Sequence, residues 1–145
     1  MKKLVLLAIS AGIVTSILAV AALAATQKTV WTAALSSGQE VPKQVVRDTA
    51  ARGLFKGTVS GGKLQWRLTF AKLTGPATAA HIHIGAKGKS GNVLISLCAP
   101  CHSGVTGTAT LNATALNDFR KHLLYVNVHT SKNPAGEIRG QLARG

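Results

Sequence analysis

The chain predicts an all-β domain, an antiparallel Greek-key β-sandwich or partly closed barrel, interrupted by one short helix. Three observations carry this expectation. First, apolar and polar residues alternate: in "KLQWRLTF", Leu64, Trp66, Leu68 and Phe70 share one face and Gln65, Arg67 and Thr69 the other, the period of a half-buried strand. Second, such runs are short, and Gly, Pro, Asn and Ser punctuate them. Third, a single stretch, "ATALNDFRKH" (113–122), switches to helical spacing, with Leu116, Phe119 and His122 or Leu123 on one side.

Taken in order, the chain opens on a basic "MKK", a long apolar run and a small-residue "ALA" before Ala25. That is the order and composition of a secretory signal peptide over 1–24, and an uncleaved membrane anchor is the alternative, since about 20 apolar residues suffice to span a bilayer. The expected strands follow at 29–35, 52–60, 62–73, 79–85, 92–98 and 105–112; after the helix come 122–130 and 136–142. About 120 residues outside the leader make one domain. Once Lys2 and Lys3 leave with the leader, the formal charge falls from +13 to +11. The remaining Lys and Arg are scattered from Lys28 to Arg144 and aromatic residues make up only 4% of the chain, so nucleic acid is excluded as a partner. Spread charge of this kind fits solubility, anionic envelope surfaces or the steering of a small anion. The chain is expected to be secreted or periplasmic, touching the membrane only transiently through its leader.

"AAHIHIG" places His81 and His83 on one face of a strand, with Ile82 and Ile84 on the other. In "LLYVNVHT", Tyr125, Asn127 and His129 share a face, and in "GEIRGQL" Glu137, Arg139 and Gln141 do. If these strands are neighbours, three imidazoles and one guanidinium converge on one patch. Neutral imidazole suits copper and zinc, and affinity for divalent first-row ions peaks at copper, so His81, His83 and His129 are candidate ligands of a single ion, and three nitrogens plus water give either an open zinc site or a tetragonal copper site. His102, in the loop after Cys101, is a further candidate as a fourth ligand. Paired histidines on a strand are also commonly a solvated face, and Arg139 can serve as the ion-pair partner of Glu137 or Glu40. Glu40 itself is expected to neutralise a half-buried partner rather than to catalyse.

"CAPCH" (98–102) matches the C-x-x-C-H attachment signature of c-type haem. Once the leader and Met1 are gone no methionine remains for a distal ligand, and the surroundings are β. The expectation is a local disulfide between Cys98 and Cys101, with a redox or metal-binding thiol pair and haem attachment as alternatives.

"SSGQEVPKQV", "GPATAAHIHIGAKGKSGNVL" and "YVNVHTSKNPAGEIRGQL" together resemble the CHRD domain, named after its repeats in chordin, over about residues 30–142. The motifs that carry the likeness are Glu40-Val41-Pro42, His81-x-His83-x-Gly85, and Tyr125 to Thr130 followed by Asn133-Pro134-x-Gly136-Glu137-Ile138-Arg139-Gly140. That resemblance implies a structural or protein-interaction role in the cell envelope. A more distant similarity, to copper/zinc superoxide dismutases, lies in the order His-x-His, later His, glycine-rich turn, Arg. It implies a superoxide-dismutase-like fold, copper at His81, His83 and His129, and Arg139 as the guanidinium that guides an anion to the metal. The chain departs from that family in lacking a metal-bridging histidine, a zinc loop and a long-range disulfide. Two functions follow: copper binding, for copper handling or superoxide chemistry, and a non-catalytic interaction domain without metal.

Overall fold

The period-two runs form antiparallel strands wrapped into a nearly closed, barrel-like sheet. The structure is a computed structural model and describes residues 27–43 and 50–145; the leader expected over 1–24 lies outside them. The strands are β1 (Thr29–Ser36), β2 (Arg52–Ser60), β3 (Lys63–Ala71), β4 (Ala77–Ile84), β5 (Val93–Cys98), β6 (Val105–Thr110), β7 (Leu124–Thr130), β8 (Ile138–Gln141) and the two-residue β9 (Ala143–Arg144). Helix α1 (Ala113–Arg120) joins β6 to β7, and a 3-10 turn (Ser37–Gln39) follows β1. The strand order is β5-β4-β7-β8-β1-β2-β3-β6, with β9 paired to β1.

The two ends of that order, β5 and β6, approach one another and are consecutive in the chain. The segment between them carries the Cys98–Cys101 disulfide. Both sulfurs are committed to each other, so the expected local disulfide is present, and in this state neither thiol is available for haem attachment or for a metal.

Alternation sends one side chain in two into the barrel. Phe55, Leu64, Leu68, Ile82, Val126, Val128 and Ile138 have no exposed surface, and each such side chain contributes about 1.5–3 kcal/mol by leaving water. The β2–β3 hairpin turns on Gly61 and Gly62, whose φ angles of 55° and 73° are those of a two-residue type I′ turn that side chains resist. At α1, the Asn112 side chain accepts a hydrogen bond from the Ala115 N–H (2.8 Å), satisfying one free donor of the first turn. Ala115 and Phe119 face inward, and Phe119 meets Trp31 edge to face at 5.3 Å. The helix ends at Arg120 rather than at the expected 122, because His122 turns the chain with φ 57°. Left-handed residues end helices, though usually as Gly or Asn, so the sequence carries no stop signal there.

One buried knot fixes the loops that frame the upper sheet face. Glu137 is fully buried and its carboxylate accepts from the Thr74 N–H (2.5 Å), Thr74 Oγ1 (2.7 Å), Thr130 Oγ1 (2.6 Å) and Asn133 Nδ2 (3.0 Å). It thereby ties the β3–β4 loop to the β7–β8 turn.

Candidate metal centre

Strand β4 lies between β5 and β7, and β8 lies beyond β7. Ala80 and Ile82 of β4 point into the core and are fully buried, which turns His81 and His83 to the opposite face. Across the ladder His81 pairs with Asn127, which pairs with Arg139; His83 pairs with Tyr125, which pairs with Gln141; Ala79 pairs with His129. The register shifts beside Ala79, His81 and His83, the kind of bulge that re-aims side chains. The structure therefore places His81, His83, His129 and Arg139 on one sheet face.

Each of the three histidines offers a ring nitrogen, and these atoms all lie within 4.8 Å of one another. His81 Nδ1 stands 3.1 Å from His129 Nε2. The outer nitrogens are held by carbonyls: His129 Nδ1 by Pro134 O at 2.9 Å and His83 Nδ1 by Gly91 O at 3.0 Å. A carbonyl can only accept, so the proton sits on Nδ1 in both rings and the Nε2 lone pairs face the cluster. His83 Nε2 is buried and has no hydrogen-bond partner. In the free protein His81 donates from Nδ1 to His129; to present that nitrogen as a ligand it takes the other tautomer.

Electrostatics favour lone pairs over protons here. Burial lowers the pKa of all three histidines. His129 and His83 lower His81 further; at His83 and His129 the Gly91 and Pro134 carbonyls pull upward against burial, and the weaker repulsions from Arg139 on His83 and from His83 on His129 add to the lowering. Neutral rings at neutral pH are what a metal site requires.

Behind the histidines lies a second polar layer. The His83 ring stacks on Tyr125 (4.9 Å, 8°), and the Arg139 guanidinium lies over the same Tyr125 ring at 3.5 Å. Arg139 Nη2 donates to Lys89 O (2.6 Å), and the residue is 2% exposed. Asn127 donates from Nδ2 to both carboxylate oxygens of Glu40, each at 3.0 Å. Glu40 is buried; desolvation lifts its pKa from 4.5 to about 7, against the opposing pull of Asn127 and Arg139.

The remaining candidate residues lie as follows around the three histidines. His102 is exposed and stands outside the cluster, because the loop after Cys101 turns through the His102 carbonyl, which accepts from the Val105 N–H. Glu137 is no partner of Arg139: its four hydrogen bonds lead to Thr74, Thr130 and Asn133. Glu40 interacts with Arg139 through charge alone, its hydrogen bonds coming from Asn127. The guanidinium expected to guide anions is enclosed by the 85–92 loop rather than presented to solvent. Sequence reasoning put Tyr125 and Asn127 on the right face but assigned them no task, and the carbonyls of Gly91 and Pro134 carry no side-chain signal at all.

The loop over Tyr125 depends on glycine. A Cβ on Gly85 would lie 2.9 Å from the Tyr125 ring, and one on Gly91 would strike the Ile84 carbonyl. Gly136, with φ 134°, packs directly on Asn127 and Glu40.

Residues 31–142 match the family model described as the CHRD domain, which is most of the chain. No curated protein and no solved structure matches it.

Proposed function

The chain belongs to the CHRD-domain family, and from that premise we propose an exported protein, secreted or periplasmic, that binds a single copper ion through His81, His83 and His129. The observation that carries this reading is the buried, unpartnered Nε2 of His83 facing two further ring nitrogens within 4.8 Å. An apolar or hydrogen-bonded side chain would satisfy a purely structural position; a lone pair without a donor suits a cation. Ligand nitrogens bound at about 2.0 Å to one ion stand roughly 3–4 Å apart, so the three rings need only small rotations. Three imidazoles suit copper first and zinc second, and a bound ion would supply a redox-active or Lewis-acid centre.

What the chain itself does is legible residue by residue. The Gly91 and Pro134 carbonyls accept from Nδ1 of His83 and His129 and so hold both rings in one tautomer, which tunes metal affinity. Tyr125 supports the His83 ring from behind, and Arg139 secures the loop that carries the Gly91 carbonyl. The disulfide fits an oxidising compartment, and among the described residues no helix is long and apolar enough to cross a membrane. Copper handling is favoured over superoxide chemistry because the Arg139 guanidinium is enclosed. Metal analysis of protein isolated from its native compartment tests the proposal: about one copper per chain supports it, and a metal-free protein that stays empty after copper loading and desalting overturns it in favour of an interaction domain.

A further inference from the structure

A cavity of about 450 Å³ opens between the start of β1, the β2–β3 turn and α1, and it shares no lining residue with the histidine cluster. One part of its wall is apolar: Trp31, Val59, Leu116 and Phe119. The rest is polar, with Gln27, Thr29 and Ser60 beside the two cationic side chains Arg120 and Arg144. Both arginines are exposed, and among the described residues neither guanidinium has a hydrogen-bond or ion-pair partner and no Asp or Glu lines the space. His122 completes the rim, its ring 5.3 Å from that of Trp31. Its backbone is left-handed at φ 57°, an uncommon conformation for a side chain of that size. The turn is held by the His122 N–H donating to Phe119 O (3.0 Å) and by Gln141 Nε2 donating to His122 O (3.2 Å).

A concave space of a few hundred Å³ that sets apolar walls beside a few convergent polar groups is a common form of small-molecule site. Two guanidiniums supply forked donors matched to an oxyanion, and no described residue of the lining offsets their charge. We propose that this cavity binds a small amphipathic organic anion, its apolar body against Trp31, Val59 and Leu116 and its oxyanion head between Arg120 and Arg144. The site is independent of the copper reading, since its lining includes none of His81, His83 and His129.

Phenylacetate and its neutral isostere phenylacetamide are the probes, titrated into the full protein by calorimetry and by ¹H–¹⁵N NMR of the indole N–H groups. Phenylacetate should bind and move the Trp31 indole signal while leaving that of Trp66, which is in the core, in place. Phenylacetamide should bind about tenfold more weakly or worse. Arg120→Gln and Arg144→Gln should each weaken phenylacetate about three- to tenfold, with unchanged melting temperature because both side chains are exposed. Arg67→Gln, on the outer face of β3, removes the same charge elsewhere and should leave binding unchanged, as should His81→Ala. Equal binding of acid and amide, an Arg67→Gln effect as large as the other two, or no binding at millimolar phenylacetate overturns the proposal.

Discussion

Glu137 and Glu40 are both buried carboxyl groups, and the protein treats them in opposite ways. Burial alone would push the Glu137 pKa up, but its four hydrogen bonds outweigh this and hold it below the ordinary value. It is a saturated knot. Among the described residues Glu40 receives only the Asn127 amide, and its pKa rises to about 7. Around it the valences are unfilled: the buried side-chain atoms without partners among the described residues are His83 Nε2, Asn127 Oδ1 and Arg139 Nη1. All three belong to the face that carries the histidines. Native proteins rarely leave buried polar atoms unsatisfied, and when they do the exceptions mark a site rather than a scaffold. The Glu137 knot holds the loops, and the His83–Asn127–Arg139 layer is what they are held for.

The contrast can be broken at either end. Replacing Glu137 by Ala should have the largest effect, because it leaves buried donors from Thr74, Thr130 and Asn133 without an acceptor; a loss of at least about 3 kcal/mol is expected by urea denaturation. A loss under about 1 kcal/mol would mean that the knot does not hold the loops. Glu40→Gln should behave differently. The folded protein keeps a proton on Glu40 up to about pH 7, whereas a free carboxyl releases it at 4.5. Stability from this group is therefore complete below pH 4.5 and lost as pH rises through 7, by about 3 kcal/mol. The histidines slope the other way: with pKa values lowered in the fold, their contribution is present above pH 6.5 and lost as pH falls. Glu40→Gln removes only the first slope, so its stability relative to wild type should rise by about 2–3 kcal/mol between pH 5 and 8. A difference that does not change with pH contradicts the assignment.

Smaller effects sharpen the picture. Gly136→Ala puts a Cβ against Asn127 and Glu40 at φ 134° and should cost about 1–3 kcal/mol, visible as a lower melting temperature. The Cys98→Ser, Cys101→Ser double variant opens a loop with a sequence separation of 3. Its loss should be about 2 kcal/mol or less by loop entropy, and copper binding should persist, since the disulfide lies outside the histidine cluster.

The strands were legible because each buries one face, so period two had to appear in "KLQWRLTF" and "YVNVHT". The histidine face was legible for the same reason: β4, β7 and β8 are neighbours, and alternation alone decides which side chains meet there. What stayed hidden is non-local or carried by backbone. Glu40 meets Asn127 across 87 positions and Glu137 meets Thr74 across 63, distances over which no local pattern speaks. The loop that encloses Arg139 is anchored through carbonyls of Lys89 and Gly91, which any residue type would offer. His102 lies in a loop, where alternation gives no face, so only the turn after Cys101 decides that its side chain is exposed.

The central claim is that three ring nitrogens form one metal site, and competitive copper titration of the wild type, His83→Ala and His102→Ala at pH 7.5 tests it most directly. The account predicts one Cu²⁺ per wild-type chain, unchanged binding in His102→Ala, at least about a hundredfold loss in His83→Ala, and release from the wild type only as pH falls below about 6.5. Equal, weak binding in all three proteins would contradict it and leave the histidines as a solvated strand face.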